Sequence, residues 1–385
     1  MQIKNILLLF VLTVGTVSCC HDLPAVAEPE VSRTVLVYMA ADNSLSSFGY
    51  SNIDSMMAGA GSDRLKGNLL VYFDPANDTP RLIQIRKGAR GVVEKFAVKD
   101  YPEQNSASVE VMHGVIDDVI NDTRFQADSY GLVLWSHGTA WLPYDWRDRL
   151  RSFGQDGSHW MEINELAAAL PDDRFDFILF DACYMANVET AYALRHKARH
   201  IIASATEVMG NGFPYGQIIE PLFRKTADLE EVCRKFFDYY NNQTGFNRSA
   251  TVAIINTELL DNLADISRAI LQGRDNDISS LPLDQLQLLD YVDGNRHFLY
   301  DFDDVMSRLA SPEQYRAFQK ALSEVVTYKR TTPQATYMLN AAVLDIHRFC
   351  GMSVYVPQQA FGLLNEWYEG LEWYGLWHTD SDLHD

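Results

Sequence analysis

Two residues carry the chemistry most readily available to this chain, a histidine and a cysteine that each follow a short, mostly apolar block. Gly131-Leu132-Val133-Leu134-Trp135 runs into Ser136-His137-Gly138, and Phe175-Asp176-Phe177-Ile178-Leu179-Phe180 runs into Asp181-Ala182-Cys183. Blocks of this length and composition read as buried strands. In a parallel α/β sheet, working groups collect at the carboxyl ends of the strands. A thiol and an imidazole delivered to neighbouring strand ends come within hydrogen-bonding reach, where the imidazole favours thiolate and protonates a leaving amine. The backbone N–H of Gly138, with no side chain in the way, and that of Cys183 then supply the two donors of an oxyanion hole. Taken singly, a cysteine at a strand end is more often core and a histidine before glycine a turn residue; their joint placement favours the chemical reading.

The rest of the chain has to position that pair. Val35 to Ala40 and Asn68 to Phe73 read as buried strands, with a helix from Phe48 to Ala60 between them. Leu82 to Ile85 and Val92 to Val98, joined through Lys87, Gly88, Ala89, Arg90 and Gly91, read as an edge hairpin. Ser108 to Ile120, Ile163 to Leu170 and Val188 to Leu194 have helical spacing, and His200 to Ala205 is a further strand-like block. Strands alternating with helices imply a mainly parallel sheet sandwiched by helices. Beyond Pro221 helical runs at Leu229 to Tyr240, Glu258 to Leu271, Asp303 to Leu309 and Tyr315 to Val326 enclose strand candidates at Thr251 to Ile255 and Met352 to Val356. The aromatic stretch from Phe361 to Trp377 reads as a closing helix. The expected organisation is an α/β catalytic domain over 33–220 and a helical and strand region over 221–385 packed on it, with no internal repeat.

A chain of 385 residues that is 47% hydrophobic can fill a real core, and its net charge of −20 argues against binding nucleic acid or docking on an anionic membrane through its own surface. At the N-terminus, Lys4 precedes an apolar run from Ile6 that closes at Ser18, Cys19 and Cys20. This reads as a secretory signal over 1–19, too short to span a membrane as a mature helix, followed by an acidic, proline-containing tether over 20–32. Cysteines straight after the apolar run resemble a bacterial lipoprotein processing site, so Cys19 and Cys20 are the lipidation candidates. Simple cleavage and release is the alternative. Setting those two aside leaves Cys183, Cys233 and Cys350, too few for disulfides to define the fold.

The sequence as a whole resembles the clostripain family of cysteine peptidases, in the same clan as caspases, gingipains and legumains. The resemblance rests on Tyr38-Met39-Ala40-Ala41-Asp42-Asn43-Ser44-Leu45, Trp135-Ser136-His137-Gly138, Asp181-Ala182-Cys183-Tyr184-Met185-Ala186, and Ser204 through Glu207 followed by Gly212-Phe213-Pro214-Tyr215. His137 and Cys183 lie 46 residues apart, similar to the separation of about 50 in caspases. Asp181 and Tyr184 depart from the caspase pattern around the nucleophile. The resemblance implies a caspase-like fold and an endopeptidase that cuts after arginine, less often lysine. It also implies that the acidic residue two before the nucleophile, here Asp181, contacts the basic side chain, which a carboxylate in a partly buried pocket can do with a guanidinium. Glu207 is a second candidate for that contact. The family matures by cutting itself between its histidine and cysteine strands; here Trp141 to Trp160 reads as a loop carrying Arg147, Arg149 and Arg151 as candidate sites.

Other chemistries find no support. The chain has no Gly-x-Ser-x-Gly, no His-Glu-x-x-His, no phosphate-binding glycine loop and no Cys-x-x-Cys, and His196 and His200 lack the intervening glutamate of a zinc helix. No cofactor is required for the expected reaction. Clostripain itself is associated with calcium; the chain contains no EF-hand-type loop, and calcium held by scattered oxygens stays open as an alternative. The expected partners are protein or peptide substrates, and a membrane only through a lipid anchor. Two alternatives stand beside this reading: a clan relative with non-basic specificity, and an inactive surface-binding lipoprotein on the same fold.

Overall fold

A strand from Arg33 to Ala41 (β1) is buried along its whole length, as a run of apolar residues between two helical layers must be. The structure, a computed structural model, describes residues 33–61, 65–142, 152–290, 297–338 and 341–378. After β1 come helix α1 (Ser46–Gly59), strands β2 (Gly67–Pro75), β3 (Arg81–Lys87) and β4 (Val93–Asp100), helix α2 (Val109–Ile120) and strand β5 (Ser129–Trp135). The middle of the chain supplies β6 (Phe153–Asp156), β7 (His159–Met161), α3 (Ile163–Ala169), β8 (Phe175–Asp181), α4 (Val188–Ala193), β9 (Ala198–Ala203), α5 (Tyr215–Leu222), α6 (Leu229–Asn241) and β10 (Thr251–Asn256). It closes with α7 (Leu260–Leu271), α8 (Asp275–Ser279), β11 (Leu299–Asp301), α9 (Phe302–Leu309), α10 (Pro312–Val325), β12 (Val326–Thr331), β13 (Gln334–Tyr337), β14 (Ala342–Asp345), β15 (Ser353–Tyr355), α11 (Gly362–Glu369) and α12 (Glu372–Gly375).

Nine strands form the central sheet in the order β12-β10-β9-β8-β5-β1-β2-β3-β4. The inner five pair parallel and the two strands at either margin antiparallel. The fold is therefore the expected caspase-like α/β sandwich. Alternation along β1 sorts the core into two layers. Leu36, Tyr38 and Ala40 face the layer that holds α2, α3, α4, α7, α9 and α10, and Val35, Val37 and Met39 face α1, α5 and α6. The parallel register sets Met39 beside Trp135 and Trp135 beside Asp181, so β1, β5 and β8 release their following loops at one level.

Several elements differ from the sequence reading. The stretch from Trp141 to Trp160, expected as a loop, holds β6 and the start of β7, which pair as a hairpin. The strand expected at Met352 to Val356 is β15 and pairs with β11 outside the main sheet. The single closing helix is two short ones, because the chain turns at Gly370 and Leu371. Strand β12 begins at Val326, where the helical reading ends, and was not expected from the sequence; α5 accommodates Pro221 in its final turn. The region beyond 221 contributes β10 and β12 to the central sheet, and the described residues form one compact unit.

Gly131 in β5 shows how tightly the site's strands are packed. A Cβ there would sit 2.2 Å from Cζ of Phe177, its register partner in β8. Gly131→Ala is expected to cost about 1–3 kcal/mol of stability through overpacking, read as a lowered thermal unfolding midpoint. An unchanged midpoint would mean that the Phe177 ring swings aside freely.

Candidate active site

The loops after β1, β5, β8 and β9 meet in a pocket of about 640 Å³ whose lining includes Ser44, His137, Gly138, Asp181, Cys183, Glu207 and Met338. The β5–β8 ladder continues for one step past the strands, with the Ser136 N–H donating to the Asp181 carbonyl at 3.4 Å. Two residues beyond the last register pair, Trp135 with Asp181, stand His137 and Cys183. The approach is closest at Gly138, where a Cβ would lie 2.8 Å from the Cys183 carbonyl oxygen and 3.1 Å from the Ala182 Cβ. Glycine is required there by contact with the backbone of Cys183. Among the described residues no hydrogen bond engages the backbone N–H of Gly138 or Cys183, which leaves both expected oxyanion donors available.

Ser44 is a part of the site that sequence reasoning missed. Its Oγ lies 2.9 Å from His137 Nε2, so a hydroxyl restrains the imidazole where the sequence offered no third group. The preceding asparagine builds the turn that presents it. Asn43 donates through Nδ2 to the carbonyls of Ala40 (3.0 Å) and Gln155 (2.8 Å), and its Oδ1 accepts the Leu45 N–H at 2.8 Å. An asparagine before a serine at a buried strand's end is a turn signal; its meeting with His137 depends on the β1–β5 pairing. The tilted Trp160 ring stands 6.1 Å from the His137 ring, centroid to centroid.

Asp181 is buried, and its Oδ2 accepts the Phe213 N–H at 3.1 Å and the Tyr215 hydroxyl at 2.8 Å. Gly212 has φ of 65°, and a Cβ on it would fall 2.4 Å from that same oxygen. The Gly212-Phe213-Pro214-Tyr215 segment is thus a cradle for the carboxylate: a positive-φ glycine for close approach, then two donors. Burial nevertheless pushes the Asp181 pKa up to about 6, against the lowering effect of the two hydrogen bonds. The other candidate, Glu207, reaches the pocket from the loop after β9, and burial raises its pKa as well.

Cys183 is half-buried; its Sγ accepts the Val208 N–H at 3.3 Å and its thiol donates to the Val208 carbonyl at 3.6 Å. Burial raises the thiol pKa well above the ordinary cysteine value, with Glu207 and Asp181 adding to it and the Val208 N–H opposing. Cys233 and Cys350 are buried and also raised, as expected of apolar core thiols. Among the described residues no group of three or more His, Cys, Asp or Glu is arranged to hold a metal ion. Arg147, Arg149 and Arg151, and likewise Cys19 and Cys20, lie outside the described residues.

Comparison with known proteins agrees with this geometry. Residues 37–384 match the model of the clostripain family. No curated protein matches the chain. Among solved structures, it is similar to an inactive zymogen C11 protease from Parabacteroides distasonis, at 42% identity and a TM-score of 0.84, over 92% of this chain and 100% of that one. A secreted C11 cysteine protease from Bacteroides thetaiotaomicron, in complex with an irreversible peptide inhibitor, is 31% identical with a TM-score of 0.79, over 91% of this chain and 100% of that one. A clostripain from Bacteroides thetaiotaomicron in complex with the peptide inhibitor BTN-VLTK-AOMK is 28% identical with a TM-score of 0.50, over 59% of this chain and 99% of that one.

A raised thiol pKa has a direct chemical readout, because only thiolate alkylates at a useful rate. Iodoacetamide should modify Cys183 of the free protein slowly at neutral pH, the rate climbing above pH 9 with no plateau on the acid side. A plateau at pH 5–7, monitored by mass spectrometry of the Cys183 peptide, would reveal a preformed thiolate–imidazolium pair.

Proposed function

This chain belongs to the clostripain family of cysteine peptidases, and we propose that it is an endopeptidase that cuts after arginine, less often lysine, with Cys183 as nucleophile and His137 as its acid–base partner. The observation that carries this reading is the meeting of Cys183, His137 and the buried Asp181 in one pocket. Substrate binding places the scissile carbonyl over the Cys183 sulfur. His137 takes the thiol proton as sulfur adds to the carbon, and the N–H groups of Gly138 and Cys183 receive the oxyanion. The C–N bond then breaks, the departing amine leaves with the proton from His137, and water releases the acyl-enzyme by the reverse sequence. Ser44, by holding Nε2 of His137, limits the ring's rotation during both transfers.

Asp181 suits a basic side chain for an energetic reason. A buried carboxylate with a raised pKa lacks a countercharge, and an arriving guanidinium supplies one in a setting of low dielectric constant. The clostripain from Bacteroides thetaiotaomicron whose peptide inhibitor places lysine beside the AOMK group is consistent with the same preference. We assign self-processing to the segment carrying Arg147, Arg149 and Arg151. Export is proposed through residues 1–19, with Cys19 or Cys20 as lipid-bearing residue or simple release as the alternative. The secreted protease from Bacteroides thetaiotaomicron supports export, and no helix among the described residues is long and apolar enough to cross a membrane.

Expression from Ser32 onward, with and without Cys183→Ala, tests activity and self-processing together. The unaltered chain should separate into two bands and hydrolyse a fluorogenic arginine peptide, and the variant should do neither. Identical gel patterns with no hydrolysis in either would refute both assignments.

The pH dependence tests Asp181. Its folded pKa of about 6 lies above the unfolded value, so its protonated form stabilises the fold below about pH 4, and that contribution is lost as pH rises through about 6. Arginine binding needs the opposite, ionised form. Asp181→Asn should therefore hold or raise the unfolding midpoint at pH 8 while reducing kcat/KM for arginine peptides by about 100-fold or more. In the unaltered enzyme kcat/KM should rise through about pH 6. Equal turnover of aspartate or leucine peptides by the unaltered enzyme would overturn the arginine preference.

A further inference from the structure

Glu207 faces the same pocket as Asp181, yet both of its oxygens are already engaged. Oε1 accepts the Tyr184 hydroxyl at 3.3 Å, and Oε2 accepts the backbone N–H of Met338 at 2.7 Å. Tyr184 directly follows the nucleophile, has φ of 63°, and donates its own N–H to the Thr206 carbonyl at 3.0 Å. Its ring stacks on Tyr337, the last residue of β13, with centroids 6.4 Å apart and planes 12° from parallel. Strand β13 is fixed from behind as well: the Thr336 N–H donates to Ser249 Oγ, and the Tyr337 hydroxyl to the Leu289 carbonyl. One carboxylate thus joins the nucleophile's loop, the loop after β9 and the end of β13.

Met338 stands just past that end. It is 61% exposed, the most exposed of the large hydrophobic side chains among the described residues. It lines the pocket beside Val208 and Met209. A large apolar side chain held by its backbone at the rim of a cleft is a surface built for contact rather than for core packing. A thioether stem adapts to ligands of irregular shape.

We propose that Glu207 is a positioning residue that ties Met338 to the nucleophile loop, and that Met338 with Val208 and Met209 forms an apolar subsite for the substrate residue immediately ahead of the basic one. This deepens the function proposed above and rests on it. The side of the cleft follows from the sheet order. His137, which protonates the departing amine, stands at the end of β5, whereas the loop after β9 lies beyond β8 on the far side of Cys183. The acyl half of the substrate therefore runs over Val208, Met209 and Met338. Each Glu207 oxygen carries a donor, whereas both donors to Asp181 fall on Oδ2 and, among the described residues, none falls on Oδ1, which leaves Asp181 as the carboxylate with an open oxygen for the basic side chain.

The test uses arginine peptides that carry leucine, glycine or aspartate ahead of the arginine. The unaltered enzyme should prefer leucine to glycine by about tenfold in kcat/KM. Met338→Ser should flatten that preference, through a raised KM for the leucine peptide. Glu207→Gln should keep the preference, because an amide oxygen still accepts the Met338 N–H. Glu207→Ala should lose it. A leucine preference that survives Met338→Ser would overturn the subsite. Glu207→Gln falling as far as Glu207→Ala on every arginine peptide would mean that its charge reads arginine, overturning the tether. Should the unaltered enzyme prefer another residue before the cut, the arginine reading fails by itself, and the same series built on that residue still reads Met338.

Discussion

The parallel pairing of β5 with β8 sets Trp135 opposite Asp181, and nearly every feature of the site inherits its position from that register. A slip of one residue would turn the alternate side chains of a strand to the other face of the sheet, which here would move Leu132 and Leu134 out of one core layer and Val133 and Trp135 out of the other. The cost of exchanging two filled apolar layers is what holds the reacting groups in place. Gly131 beneath the Phe177 ring and Gly138 against the Cys183 carbonyl show how little room remains between the two strands at the two ends of the pair. Catalytic precision is delegated to core packing, which has few ways to relax.

On that rigid frame the protein places groups whose ionisation is opposed by burial. Asp181, Glu207 and Cys183 all have pKa values raised chiefly by burial, and the two carboxylates add to the rise at the thiol. A similar concentration occurs at the ends of β2 and β6, where burial and the neighbouring Asp156 push Asp74 up to about 8. Such groups reduce stability and persist where the surroundings hold them and function uses them. At the pocket the surroundings are visible: Gly212, Phe213 and Tyr215 around Asp181, and Tyr184 and Met338 around Glu207. The cationic side chain of the proposed substrate would relieve that imbalance.

The parts of this arrangement legible in the sequence were those encoded locally. Apolar blocks ending in Ser136-His137-Gly138 and Asp181-Ala182-Cys183 announced strands with reactive ends, and the sheet carries them there. The parts that stayed hidden depend on contacts between distant segments. Ser44 looks like an ordinary turn serine until β1 pairs with β5 and brings it to His137. Met338 carries no periodic signal, and its role follows from a bond to a residue 131 positions away. Strand β12 was masked because a helix runs straight into it at Val326 with no glycine or proline between. The hairpin β6–β7 was masked by the turn-like residues Gly154, Gly157 and Ser158, which serve a tight turn and a bulge rather than a long loop.

That hairpin bears on what a cut in the preceding segment would do. It is pinned to the catalytic strand ends by the Gly154 N–H on the His137 carbonyl, the Thr139 N–H on the Ser152 carbonyl, the Gln155 N–H on Ser136 Oγ and the Gly157 N–H on the Asp42 carbonyl. The carboxylate of Asp156 also receives the Ser106 N–H. Cleavage between residues 142 and 152 would leave β1, β2 and β5 on one fragment and β8, β9 and β10 on the other, still paired within a single sheet. Separating them would expose the seam between β5 and β8, where both faces are apolar and fully covered. The two fragments therefore stay together, and what a cut alters is the freedom of the new chain ends. Those ends are flanked on one side by Trp141 and on the other by the strand that hydrogen-bonds His137. Processing there, as proposed, would act on access to the pocket and on the restraint of the histidine, leaving the sheet that carries His137 and Cys183 unchanged.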